Sequence, residues 1–317
     1  MTQSDKKGAA PKMEHMRSKL IGINPRDAIP GSEPGLPTFS SKKRARRRVQ
    51  MFTVAVTLCA LLGVACSNQV LGQPTVKNSP AREALGNKKV LIVISAYPKY
   101  GELDEPTGYW LSEITHFYHV LARHGIEMDI ASPGGKPGVM DPRSDDMDDP
   151  LNAAFWNDVD LKSQLDNPLD PAELNAEDYG VIYFAGGHGT MWDFTDSKPL
   201  SQLTVSIYEN DGIVSAVCHG PAGLINVKLS NGSYLLQGRN VTGFANFEET
   251  LIGKTDMVPY LLEDKLKERG GIYSNAFIPF TSYAVTDGRL VTGQNPFSTV
   301  DVAQHVIQVL SSQSMKQ

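Results

Sequence analysis

"GIVSAVCHGPAGL", residues 212–224, decides how the chain is read. Its first half is an apolar, β-branched run, its second half a Gly-Pro step, and a lone cysteine, Cys218, stands at the join. Such a run bounded by turn signals suits a strand buried on both faces. Proline fits the first turn of a helix, so the stretch predicts a strand, a sharp turn and a helix opening at Pro221, the layout of a nucleophile elbow. A thiol at a helix N-terminus feels unpaired N–H groups and the positive end of the helix dipole, which favour thiolate. A free cysteine is also among the most buried residue types, so Cys218 alone reads equally well as filler. Its surroundings have to decide.

Outward from this stretch, strands alternate with helices. "KKVLIVISAY" (88–97) is a second continuous β-branched run, followed by "GYWLSEITHFYHVLARHG", whose Trp110, Leu111, Ile114, Phe117, Val120 and Leu121 recur at helical spacing and stop at Gly125. "IEMDIASP" and "YGVIYFAGG" read as further strands, "LSQLTVSIYENDG" and "TVDVAQHVIQVL" as helices, and "YAVTDGRLVTG" as a hairpin turning on Asp-Gly. The fold class is therefore α/β, a doubly wound, mostly parallel sheet, within one domain of residues 88–317. Residues 133–178 break the rhythm with a long Asp- and Pro-rich stretch containing Phe155 and Trp156. It is read as a small cap insertion over the strand ends. Its aspartates lack the glycine and terminal glutamate of a calcium loop and are read as a solvated acidic face.

Charge divides the chain differently. Residues 1–50 hold 12 Lys/Arg against 4 Asp/Glu, and the remainder 18 against 31. Residues 1–48 lack the apolar periodicity that would offset the entropy of ordering and are read as a disordered basic extension; no nucleic-acid partner is expected of the acidic remainder. The basic "KKRARRR" runs into an uncharged apolar stretch, 49–66, which reads as a signal, a membrane anchor or a lipoprotein segment with Cys66 as the lipidation site. Residues 67–87 would be a linker. The expectation is a catalytic domain exported or tethered to a membrane by this N-terminal segment, outside the cytosol. Of the three cysteines, Cys59 and Cys66 lie in that segment, which leaves Cys218 alone in the domain, with no disulfide framework.

Ligands of parallel sheets bind beyond the carboxyl ends of the strands, and three segments converge there with Cys218 and His219. "AGGHGTMWDF" (185–194) places glycines at 186, 187 and 189 around His188, a turn whose free N–H groups suit an oxyanion. Glu113, in "TGYWLSE", sits near a helix start amid apolar neighbours, where it either steadies the helix or holds a proton for the thiol. Glu248 and Glu249 are either helix-start acids or an orienting partner for His219. His116, His119 and His124 lack a convergent carboxylate and are read as surface or interface residues, with no metal.

Taken together, "AVCHGPAGL", "AGGHGTMWDF", "TGYWLSE", "VTGFANFEETLIG" and "YAVTDGRLVTGQNP" resemble the DJ-1/PfpI superfamily, specifically its Hsp31-like branch, from about Lys88 to the end. The resemblance implies a flavodoxin-like three-layer sandwich related to the glutamine amidotransferase domain, often dimeric, so a homodimer is among the expectations. Carried over by motif, Cys218 is the nucleophile, His219 its acid/base neighbour, Glu249 the third triad member with Glu248 as the adjacent alternative, and Glu113 the pocket carboxylate. Gly187, His188 and Gly189 match the lining of the oxyanion site. The implied activity is a glutathione-independent glyoxalase (glyoxalase III, or D-lactate dehydratase) acting on a small reactive aldehyde, methylglyoxal, without metal or organic cofactor. The alternatives are a holdase chaperone, protein deglycase or redox sensor of the same branch, and a cysteine amidohydrolase.

Overall fold

The structure is a computed structural model and describes residues 79–315. The segments read as extension, signal or anchor, including Cys59 and the lipidation site Cys66, lie outside the described residues, as does most of the linker. The elements run α1 Pro80–Leu85, β1 Lys89–Val93, α2 Leu111–Ala122, β2 Met128–Ala131, α3 Pro150–Asn157, α4 Val159–Asp166, β3 Tyr179–Phe184, α5 Thr190–Asp193, α6 Lys198–Glu209 and β4 Ile213–Val217. They continue β5 Asn240–Val241, α7 Asn246–Leu251, α8 Leu262–Glu268, β6 Ile272–Tyr273, β7 Ala284–Asp287, β8 Leu290–Gly293 and α9 Thr299–Ser314.

Six strands form one sheet in the order β2-β1-β3-β4-β8-β7, parallel except for the β7–β8 hairpin. Every residue of β3 and β4 is buried, as expected of strands covered on both faces. Helices α1 and α2 each pack against α9, and α6 lies against β3 and β4. This is the flavodoxin-like sandwich. α1 lies at the end of the stretch read as linker: Ser79 caps it by accepting from Arg82 N–H, Pro80 opens it, and Ala81 and Leu85 are buried.

The order of the strands locates the chemistry. From β1 the chain crosses to β2 on one side and then returns to β3 on the other, so the loops after β1 and β3 part from each other. This is a topological switch point, where a crevice opens beyond the strand ends. β4 is the next strand, and its end carries Cys218.

The 133–178 segment differs from a solvated acidic face. Its middle is helical, α3 and α4, and two of its aspartates are buried: Asp141 is fully enclosed and Asp149 caps α3 through Leu151 N–H and Asn152 N–H. It also covers the α2 histidines that were read as surface residues. His116 Nε2 lies 2.9 Å from Asp149 Oδ2, and His119 Nε2 3.2 Å from the Leu151 carbonyl. Their helix face is buried because a later segment lies on it, which no local pattern encodes. Among the described residues no helix is long and apolar enough to cross a membrane.

Candidate active site at the end of β4

Cys218 is the sole free cysteine among the described residues and is 3% exposed. Its φ of +58° is the left-handed region, which costs a side-chain-bearing residue of order 1 kcal/mol or more. The surrounding backbone imposes it: Cys218 N–H donates to Gly293 O on the neighbouring strand at 2.9 Å, while its carbonyl accepts Phe244 N–H at 2.9 Å. The sharp turn predicted from the sequence is present. The helix after it is not an α-helix but a five-residue 3-10 turn, Gly220–Leu224. Close packing requires its glycines: a Cβ on Gly220 would sit 2.1 Å from the Phe184 carbonyl, and one on Gly223 2.7 Å from the Phe184 ring. A single short turn has little macrodipole, so stabilisation of a thiolate falls to individual N–H groups. Burial and the Glu113 charge push the pKa of Cys218 well above the ordinary thiol value, only partly offset by hydrogen bonds from Gly187 N–H and His219 N–H, so the resting group is the thiol.

Glu113, in the first turn of α2, is completely buried. Its Oε2 accepts Gly186 N–H at 2.5 Å. Oε1 is buried without a hydrogen-bond partner, and the Cys218 thiol lies close enough to the carboxyl to influence it. Burial pushes its pKa up to about 8, only partly offset by these two contacts. At neutral pH Glu113 is therefore mostly the acid, and the charge that would repel a thiolate is removed. Tyr183 OH donates to the Glu113 carbonyl at 2.8 Å and holds the helix start in place.

His219 stands on the other side of the sulfur. Its Nδ1 is 3.3 Å from Sγ, its Nε2 is 2.8 Å from Glu249 Oε2, and Phe244 stacks on its ring with centroids 4.4 Å apart. Glu249 is strongly acidified by its two histidine partners despite burial. The neighbouring acid is placed differently. Glu248 accepts from Ala245 N–H, Phe280 N–H and Asn295 Nδ2, so it closes the start of α7 and anchors the 280–295 region. The geometry thus puts Glu249, not Glu248, against His219.

The three residues of the glycine turn separate. Gly187, at φ +97°, has room for no side chain, since a Cβ would lie 2.2 Å from Gly108 O, and its N–H faces the thiol. Gly189 donates its N–H to Gly108 O at 3.4 Å and opens α5. His188 turns away from the oxyanion position and onto the second oxygen of Glu249, with Nε2 to Oε1 2.9 Å. Sequence reading gave no role to Arg143 or Tyr100, yet Arg143 Nη2 reaches both Tyr100 OH, at 2.6 Å, and His188 Nδ1, at 3.3 Å. Among the described residues, His188, His219 and Glu249 are the one group close enough to hold a metal ion, with ligand atoms within 4.8 Å of one another. Each histidine Nε2 instead lies on its own carboxylate oxygen, so the three already satisfy each other.

The DJ-1/PfpI family profile matches residues 107–309, which span both carboxylates, the glycine turn and Cys218. The chain belongs to the DJ-1/PfpI family. It is 35% identical to a glutathione-independent glyoxalase of Saccharomyces cerevisiae, covering 71% of this chain and 99% of the relative. It is 31% identical to glyoxalase 3 of Candida albicans, covering 69% and 97%. Among solved structures, the Rapid Encystment Protein 24 kDa of Francisella tularensis superposes with a TM-score of 0.68 at 41% identity, covering 70% of this chain and 99% of that one. The C. albicans glyoxalase III structure gives 0.65 at 30%, covering 70% and 97%.

These relatives correct one expectation. Nearly the whole length of both yeast enzymes is matched by about seven tenths of this chain, so neither has a counterpart of a basic, apolar leader. The exported or membrane-tethered placement rested on that segment alone and is overturned. A basic flank beside an apolar run is a compositional signal, and here it has no support from the proteins that share the domain.

Proposed function

We propose that this protein is a glutathione-independent glyoxalase that converts methylglyoxal to lactate with Cys218 as nucleophile. The observation that carries the reading is the placement of one buried thiol between a histidine Nδ1 at 3.3 Å and a mostly protonated carboxyl, Glu113. The relatives' glyoxalase names support the reaction class.

His219, held by ionised Glu249, takes the thiol proton, and Sγ adds to the aldehyde carbon. Glu113 gives its proton to the aldehyde oxygen, which completes a hemithioacetal and leaves Glu113 as a carboxylate. That carboxylate removes the hydrogen from the same carbon while protonated His219 gives its proton to the ketone oxygen, forming an enediol and leaving His219 neutral; Glu113 then returns the hydrogen to the neighbouring carbon and takes up the proton of the first hydroxyl as its carbonyl forms. The product is a lactoyl thioester on Cys218. Water activated by His219 hydrolyses it, releasing lactate and regenerating the thiol. A group with a pKa near 8 suits both halves of Glu113's task, because the ideal acid and base share a pKa near the working pH. The Gly187 and His219 N–H groups stabilise the sulfur anion whenever it forms.

The test is lactate formation from methylglyoxal by the purified protein in buffer free of glutathione and other thiols. The reading expects turnover that Cys218→Ala abolishes. Full activity in that variant, or none in the native protein, would sink it.

A further inference from the structure

Glu249 is held by two histidines, of which only His219 touches Cys218. The protonation of the other, His188, follows from its neighbours. A guanidinium nitrogen can only donate, so His188 Nδ1, 3.3 Å from Arg143 Nη2, must accept. The ring hydrogen is then on Nε2 and is donated to Glu249 Oε1 at 2.9 Å. Burial, aided by the His219 ring 4.0 Å away, lowers the pKa of His188 to about 4 and keeps it neutral.

Arg143 is itself fixed. Its Nε donates to Oδ1 of enclosed Asp141 at 3.0 Å, and the two hydrogens of Nη2 are shared among Asp141 Oδ2 at 2.6 Å, Tyr100 OH at 2.6 Å and the more distant His188 Nδ1. Tyr100 packs 5.2 Å from the His188 ring and edge-on to Trp192. A line of directed hydrogen bonds therefore runs from the 133–178 segment to the thiol: Arg143 to His188, His188 to Glu249, and His219 between Glu249 and Cys218.

We propose that His188 and Arg143 are positioning residues for the chemistry of Cys218. Arg143 selects the Nε2–H tautomer of His188, and that tautomer pins one oxygen of Glu249 so that the other is presented to His219. A carboxylate with a donor on each oxygen has its plane fixed, whereas one held on a single side turns and leaves a buried oxygen unsatisfied. In the opposite tautomer two donors would face each other across 3.3 Å and a lone pair would face the carboxylate. The proposal rests on the cysteine-dependent reading above, so its test includes a probe that needs no turnover.

The probe is iodoacetamide, with carbamidomethylation of the Cys218 peptide followed by mass spectrometry, alongside kcat and KM for methylglyoxal. His188→Leu is expected to slow alkylation of Cys218 at least about fivefold and to lower kcat at least about tenfold, with KM within about twofold. His188→Gln offers an N–H to Oε1 and a carbonyl to Arg143, and is expected to recover both rates to within about threefold of native. In a Glu249→Ala background, His188→Leu should change alkylation by less than about twofold, because nothing remains to be positioned. Side-chain 15N NMR should place the His188 hydrogen on Nε2 in the native protein and show a tautomer mixture in Arg143→Met. Unchanged alkylation in His188→Leu, an undiminished loss in the Glu249→Ala background, or an Nδ1–H tautomer in the native protein would overturn the proposal. If His188→Leu fails to fold, the Gln variant and the NMR signature still decide. If methylglyoxal is not consumed but alkylation behaves as stated, the glyoxalase reading fails and the positioning role stands.

Discussion

Two carboxylates serve the same sulfur, one beside it at the start of α2 and one through His219 from the start of α7, and the protein drives them in opposite directions. Burial is the first influence on both and raises both pKa values. Glu113 receives a single backbone N–H and ends near 8; Glu249 receives two ring N–H donors, one per oxygen, and ends well below the ordinary carboxylate range. The difference lies in the donors, two ring N–H groups on Glu249 against one backbone N–H on Glu113. One site therefore keeps a proton to give and the other keeps a charge to orient a histidine.

The sharpest way to break this comparison is to remove what both carboxylates serve. Cys218→Ala should lower methylglyoxal turnover by at least about a thousandfold, measured as lactate formed. Glu113→Gln comes next, with a loss in kcat of about 10² to 10⁴. It carries a signature in pH. In the native enzyme the protonated form of Glu113 is lost as pH rises through about 8, so kcat/KM should fall on the alkaline side with its midpoint there; the variant should lack that limb. A limb that persists unchanged in Glu113→Gln would assign it to another group.

The adjacent acids sharpen the comparison at the other helix. Glu249→Gln should cost about 10² in kcat, since it disorients His219. Glu248→Gln should do the reverse, retaining kcat within a few-fold while costing roughly 1–3 kcal/mol in denaturant unfolding. The reason is that its oxygens satisfy Ala245 N–H, Phe280 N–H and Asn295 Nδ2 in a buried place. The smallest effect concerns stability alone. The raised pKa of Glu113 means that between its ordinary value of 4.5 and about 8 the folded state holds a proton that the unfolded state has lost. Stability therefore falls as pH rises through that window, by at most about 1.4 kcal/mol per pH unit. Glu113→Gln removes this contribution and should unfold at higher denaturant than the native protein at pH 8, with the gap closing toward pH 5.

What the sequence made legible follows the range of the interactions. Cys218 at a strand end, the Asp-Gly hairpin of β7–β8 and the β/α alternation are local patterns, and they read correctly. Glu248 and Glu249 could not be separated from residues alone, because consecutive positions on one helical turn point to different neighbours and only the tertiary placement of His219 and Asn295 distinguishes them. The 3-10 turn was missed because Pro221 signals a helix start without fixing the type or length of the helix that follows. His188 was read as an oxyanion neighbour since its partner, Glu249, is 61 residues away. Arg143 was passed over inside an acidic stretch whose charges looked solvated.

The sequence separations across the site bear on how the chain reaches its native state. Glu113 meets Gly186 over 73 residues, His188 meets Glu249 over 61, and His219 meets Glu249 over 30. Contacts of this separation form late, after loop-closure entropy has been overcome. His219 alone is beside Cys218 in the unfolded chain; Glu113 and Glu249 reach the site only through tertiary structure. Loosening of the fold therefore parts the thiol and its histidine from both carboxylates.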